Sequence, residues 1–175
     1  MKSGEAIFQI TVPMQIKGLQ SLLGQLKKLS IHADQKKYDP SVVLQSRLAP
    51  DQFPLMRQIQ ITCDTAKLAA QRITGRDGIS FLDDEKNLTD IRYRIEKTIE
   101  FLQSFSSQDY QGKEEKLITT PRWDGKSLIA MDYCLHHVIP NFYFHLTTAY
   151  AILRHNGVDL GKADYLGELP FLKPV

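Results

Sequence analysis

The sequence predicts an all-α protein, a four-helix bundle, and a few observations carry that prediction. Four stretches, 4–33, 51–74, 84–106 and 130–155, repeat their apolar residues at steps of three and four, which gathers each set onto one helical face. Gly75 and Gly157 follow the second and the fourth, where a left-handed residue ends a helix most easily. Between about 115 and 129 the helical period gives way to β-branched residues. At 175 residues the chain makes one domain, 1–175, able to bury about two thirds of its unfolded surface. Each apolar stripe can be covered only by the others.

The first helix carries Leu19, Leu22, Leu23, Leu26 and Leu29 on one face, with a kink expected at Pro13. A short helical turn is expected at Asp39-Pro40-Ser41, where Asp suits the N-cap and Pro the first helical position. The second helix, from about Asp51, aligns Leu55, Ile59, Cys63, Ala66, Ala70 and Ile73. The third aligns Leu88, Ile91, Ile95, Ile99, Leu102 and Phe105. Between the third and fourth helices, EKLITTPRWDGKSLIA surrounds Asp124-Gly125, a dipeptide that tolerates the positive φ of a type I′ turn. A small β-hairpin is expected there, with Trp123 beside its tip. The fourth helix begins near Ala130. Beyond Gly157 the stretch VDLGKADYLGELPFLKPV reads as an extended C-terminal tail lying across the bundle. The first-to-second and third-to-fourth connections are long, which suits crossovers.

Composition narrows the function classes. With 22 basic against 20 acidic residues, the basic ones scattered along the chain, nothing forms the electrostatic footprint of a nucleic-acid binder. Cys63 and Cys134 lie in apolar-periodic segments without finger or CxxC spacing, and free thiols are expected. No apolar run reaches the length of about 18 residues that a membrane span needs, and the N-terminus has no signal-like apolar core. A cytoplasmic protein is expected.

The segment HHVIPNFYFHLTTAYAILRHNG, 136–157, holds the candidate chemistry. At about 100° per residue, Val138, Phe142, Ala149 and Ile152 fall within roughly 60° of His145. His145 therefore sits in the middle of an apolar stripe, with Asn141 and Cys134 also inward, His137 and Thr148 on its flanks and His136 pointing out to solvent. An inward histidine needs partners for both ring nitrogens and an inward asparagine for up to four hydrogen bonds. Such groups form a satisfied core network or else a site between helices, where bundles build their pockets. On the second helix, Asp64 lies between Ile61 and Leu68 on neighbouring turns, with Arg57, Gln60 and Lys67 nearby. These residues form a solvated charged face, or they put Asp64 at the rim of the core. There it would accept a proton from His145 or hold a metal with it.

The stretches RLAPDQFPLMRQIQ and PNFYFHLTTAYAILRHNGVDLGKADYLG, with the hairpin before the latter, resemble a bacterial and fungal domain-of-unknown-function family. That family is grouped with the DinB and YfiT-like metalloenzymes. The resemblance covers nearly the whole chain and implies an up-down-down-up four-helix bundle and a homodimer. In that group one histidine of helix two and a His-x3-His pair of helix four hold nickel or zinc, and some members are thiol-dependent transferases or hydrolases. Carried over, His145 stands at the second histidine of the pair, Asn141 at the first and Asp64 at or near the helix-two histidine. Two of three ligands have changed, and asparagine is a poor partner for zinc or nickel. The resemblance thus implies a weak or absent metal site of His145, Asp64 and, in place of Asn141, His137.

Two functions follow. In one, Asp64 orients His145, His145 is the general base towards a thiol or water, and Asn141 donates to developing negative charge. In the other, the same residues form a core network or a small-ligand pocket without chemistry. Tyr143 and Tyr150, on the outer side of the fourth helix, add to the expectation of a homodimer.

Overall fold

The computed structural model describes residues 3–172 and, for Ser3, the backbone alone. Helix α1 (Ser3–Lys36) runs through Pro13 without ending there, and the proline is exposed. A short helix α2 (Ser41–Leu44) follows the Asp39-Pro40 turn, with the Asp39 carboxylate accepting from the Ser41 N–H. Helix α3 (Leu55–Thr74) starts four residues later than its pattern suggests because Pro54, extended at φ −68° and ψ 164°, supplies the N-cap. Gly75, at φ 81°, closes it. Helix α4 (Leu88–Gln103) begins at an Asn87 cap that accepts from the Asp90 N–H.

In the hairpin, β1 (Leu117–Ile118) pairs antiparallel with β2 (Leu128–Ile129), Leu117 opposite Ile129 and Ile118 opposite Leu128. Its tip turns as expected. Asp124 and Gly125 both take positive φ, 48° and 80°, and the Lys126 N–H donates back to the Trp123 carbonyl. The ladder is short because a 3₁₀ turn at Pro121–Trp123 intervenes.

The fourth long helical segment covers 130–155, as its period predicts, but in three pieces. An α-turn α5 (Ala130–Tyr133) leads into a π-helical stretch Cys134–Val138 and then helix α6 (Ile139–His155). The π stretch has a cause in the sequence. Pro140 has no N–H for the carbonyl four residues earlier, and its ring would crowd that carbonyl, so a wider turn accommodates it.

Around the bundle, α1 packs on α4 and α6, and α3 packs on the same two helices. The pairs α1/α3 and α4/α6 therefore lie on the two diagonals. This explains the connection lengths, since 37–54 and 104–129 each cross a diagonal while 75–87 joins neighbours. The core is filled by the expected stripes, including Leu19, Leu22, Leu26 and Leu29 of α1, Ile59, Cys63 and Ala66 of α3, Ile91 and Ile95 of α4 and Phe142 of α6. Gly18 lets α1 and α6 approach closely, because a Cβ there would lie 2.9 Å from the Phe142 ring and 3.0 Å from Leu146.

The tail differs from a wholly extended strand in holding one short helix, α7 (Lys162–Leu166). Val158 and Leu160 are buried beneath it, and Tyr165 packs edge-on against Tyr150 at 5.7 Å and bonds Thr147 at 2.8 Å. Tyr143 and Tyr150 are half-buried within the chain, while Phe144 of the same helix is 56 % exposed. Among the described residues no helix is long and apolar enough to cross a membrane.

Candidate functional site

A cleft of about 410 Å³ opens between α3, the π stretch, α6 and the 119–127 loop. Asp64, His137, Asn141 and His145, the residues singled out by sequence, all line it, as do Arg57, Arg72, Arg122, Trp123 and Tyr133. His136 is exposed and Cys134 fully buried, as the helical angles place them.

His145 is 8 % exposed, and its hydrogen bonds fix its state. Gln58 donates from Nε2 to the Phe53 carbonyl at 2.9 Å, which leaves its Oε1 as the acceptor facing α6. The contact of 2.6 Å between that oxygen and His145 Nδ1 is therefore an Nδ1–H donation. The neutral tautomer follows, with a bare lone pair on Nε2, for which the described residues provide no partner. Burial, helped by the nearby Arg57 charge, lowers the pKa of His145 to about 4, so the ring is neutral at pH 7.

The same reasoning orients Asn141. Thr65 Oγ1 donates to the Ile61 carbonyl at 2.7 Å, so it accepts from Asn141 Nδ2, also at 2.7 Å. The second N–H and the Oδ1 of Asn141 remain for the cleft.

Asp64 does not orient His145. Its Oδ1 is bound by Arg94 Nη2 at 2.8 Å and Lys67 Nζ at 3.1 Å, and the histidine takes Gln58 instead. The cause lies in the 75–87 connection, which folds over the polar side of α3. It brings Asp83 and Glu85 to Arg94 Nη1 at 2.6 and 2.8 Å and places Phe81 under both Arg94 and Lys67. Arg57 pairs with Asp83 at 2.7 Å, and Gln60 donates to Glu85 at 2.8 Å. The supposed solvated face is in fact covered, with Gln60 and Lys67 buried and Arg94 1 % exposed. Burial works against the charge of Arg94, but Glu85, Asp64 and Asp83 outweigh it and raise its pKa.

The zinc or nickel set of His145, Asp64 and His137 does not fit these positions. Asp64 Oδ1 is committed to two cations, and His145, its Nδ1–H held by Gln58, has only Nε2 to offer. The His137 ring stacks on Tyr133 at 5.5 Å and meets Trp123 edge-on at 5.5 Å. Three guanidinium groups share the cleft. Among the described residues no three His, Cys, Asp or Glu side chains converge to hold a metal ion.

Residues 7–166 match the family described as a domain of unknown function, DUF1993. The chain belongs to the DUF1993 family. This DUF1993 protein is also similar to a solved structure of a DinB family member from Shewanella denitrificans, with 43 % identity and a TM-score of 0.94 over 98 % of this chain and 97 % of that one. No curated protein matches it. Together these matches describe an uncharacterised DinB-like protein of the DUF1993 family.

Sequence reasoning missed Gln58, Arg94, Arg72 and Arg122. Arg94 had a signal, since it stands three residues after Ile91 and one before Ile95, on the flank of the α4 core stripe. Gln58 had a weaker one, a turn ahead of Thr62 beside the Leu55–Ile59 stripe.

Proposed function

We propose that the cleft is the binding site of a small organic molecule and that His145 is its general base, in a transferase or hydrolase reaction that needs no tightly held metal. One observation carries this reading. The buried His145 keeps an unpartnered Nε2 lone pair on the wall of an open cleft, held in that tautomer by Gln58. A ring serving only as core packing would have both nitrogens satisfied.

In this reading the nucleophile, a thiol or water, gives its proton to Nε2 as its sulfur or oxygen bonds the electrophilic atom of the substrate. Charge that develops on the attacked group is met by the second N–H of Asn141. The imidazolium, disfavoured by burial, returns the proton to the leaving group. Any thiol is supplied by the substrate, because burial pushes Cys63 and Cys134 up to about 12 and keeps both protonated. Asp64 takes no part in orienting the base; Gln58 does.

The test pairs binding with turnover. Nitrogen-15 NMR of His145 is followed against a small-molecule fragment set, and activated thioesters are assayed with and without added thiol. We expect fragments that shift the Nε2 signal and turnover that disappears in His145→Ala. Binding at Nε2 without turnover would make the cleft a non-catalytic ligand pocket, and fragments that never reach Nε2 would end the proposal.

A further inference from the structure

Resting on the reading of the cleft as a small-molecule site, we propose that its ligand is a small organic anion, a carboxylate or a phosphate ester, whose charge is received by Arg72 and Arg122. The argument starts from the charges that line the cleft. Three guanidinium groups, Arg57, Arg72 and Arg122, face one carboxylate, Asp64. Arg57, Lys67 and Arg94 are balanced by Asp64, Asp83 and Glu85 in one connected cluster, three charges against three. Arg72 and Arg122 then remain, and among the described residues neither has a carboxylate within ion-pair distance. Two unneutralised cations lining a partly enclosed cleft attract an anion more strongly than they would on an open surface.

Arg72 is also held for the task. It stands in the last turn of α3, where Lys116 Nζ donates to its carbonyl at 2.7 Å and fixes the backbone. Its Nη1 donates to the Tyr133 hydroxyl at 2.9 Å, which leaves its other N–H groups uncommitted and frees the tyrosine O–H to donate in turn. A guanidinium whose position is set by packing presents parallel N–H bonds that suit the two oxygens of a carboxylate or phosphate. His145 Nε2, lining the same cleft, is a pure acceptor. The ligand that satisfies both is an anion that also bears an O–H, N–H or S–H group. Trp123, edge-on to His137, offers an apolar surface for its carbon frame. A volume of about 410 Å³ suits a small molecule and not a polymer.

Calorimetry on the full chain tests this with inorganic phosphate, lactate and mercaptoacetate, each organic acid set against its neutral amide. We expect an acid or phosphate to bind, the amides to bind about ten-fold more weakly or not at all, and Arg72→Gln to lose about ten-fold in affinity. Arg122→Gln, at an exposed position, is expected to lose affinity without the folding burden that the Tyr133 contact places on Arg72. Carboxylate and phosphate preference separate by which probe binds. Amides that bind as tightly as the acids, with the loss confined to His145→Ala, would overturn the anion and leave the cleft reading standing. Failure of every probe, acid and amide, to shift the His145 signal by NMR would overturn both.

Discussion

His145 Nδ1 donates to Gln58 Oε1 across 2.6 Å and ties α6 to α3 at the cleft wall. Gln58, itself anchored on the Phe53 carbonyl, sets which ring nitrogen carries the proton. Replacing it with glutamate puts a carboxylate against Nδ1–H and is expected to raise the pKa of His145 well above its present value of about 4. Gln58→Met instead leaves a buried N–H unpaired and is expected to cost about 1–3 kcal/mol. NMR titration of His145 checks the first outcome and urea unfolding the second; an unmoved titration in Gln58→Glu would show that another group holds the ring.

The low pKa of His145 makes stability depend on pH in a definite direction. In the unfolded chain a histidine takes up its proton near pH 6.5, whereas in the fold His145 resists it down to about 4. Between these values the unfolded state binds more protons, so stability falls as pH falls through that window. A loss on the order of 1–3 kcal/mol is expected from this group. His137, whose pKa is lowered by burial and by Arg72, acts in the same direction. The pKa values of Asp83 and Glu85 are also lowered, because the bonds of Asp83 with Arg57 and Arg94 and of Glu85 with Arg94 outweigh burial, so their stabilisation is lost at still more acid pH. Unfolding free energies measured every half pH unit are expected to slope less in His145→Gln than in the wild type from pH 6.5 to 4. Equal slopes would remove His145 as the cause.

What is legible in the sequence is what has a period, and what is not is where the connections fold. The four helices follow from apolar residues at 3.6-residue spacing, and Gly75, Asp124-Gly125 and the 130–155 span fall where their local chemistry puts them. His145, Asn141 and Cys134 read as inward because no irregular turn separates His145 from Asn141, and the π stretch leaves Cys134 on the core side. The partners of those residues were not legible. The stretch 75–87 has no period, and nothing in its order says that Phe81, Asp83 and Glu85 fold back over α3 and turn an apparently solvated face into a sealed charge cluster. The sequence leaves Asp64 either on a solvated face or beside His145, because nothing in it places those carboxylates or Arg94 against Asp64. The two free cations escaped for a similar reason: Arg72 reads as an ordinary basic residue of a last helical turn and Arg122 as part of a loop.

Arg94 is expected to be the most costly single polar position in the fold. Arg94 is 1 % exposed and bonds Asp64, Asp83 and Glu85, so its removal leaves Glu85 without a cation and Asp64 and Asp83 with only Lys67 and Arg57. Arg94→Met is expected to lose about 3–5 kcal/mol, the scale seen when one partner of a buried ion pair is deleted. Arg94→Lys keeps the charge but not the fork of donors, and an intermediate loss is expected. Chemical denaturation measures both, and an Arg94→Met variant within experimental error of the wild type would show that the cluster contributes nothing net.

Metal dependence gives the last expectation. A ligand bound only by the folded state stabilises it according to its concentration relative to Kd, so a protein that relies on a resident metal loses stability when a chelator removes it. Here the one carboxylate of the cleft is bound by Arg94 and Lys67, and the uncompensated charges lining the same cleft, Arg72 and Arg122, repel a divalent cation. Dialysis against a strong chelator is therefore expected to leave the melting temperature unchanged, and added zinc or nickel to leave it unchanged as well. His145→Ala is expected to alter neither result, because Nε2 lacks convergent partners for a metal. Elemental analysis of the native protein supplies the decisive measurement: a full equivalent of zinc or nickel that vanishes in His145→Ala would restore the metal to the mechanism and overturn the base role assigned to Nε2.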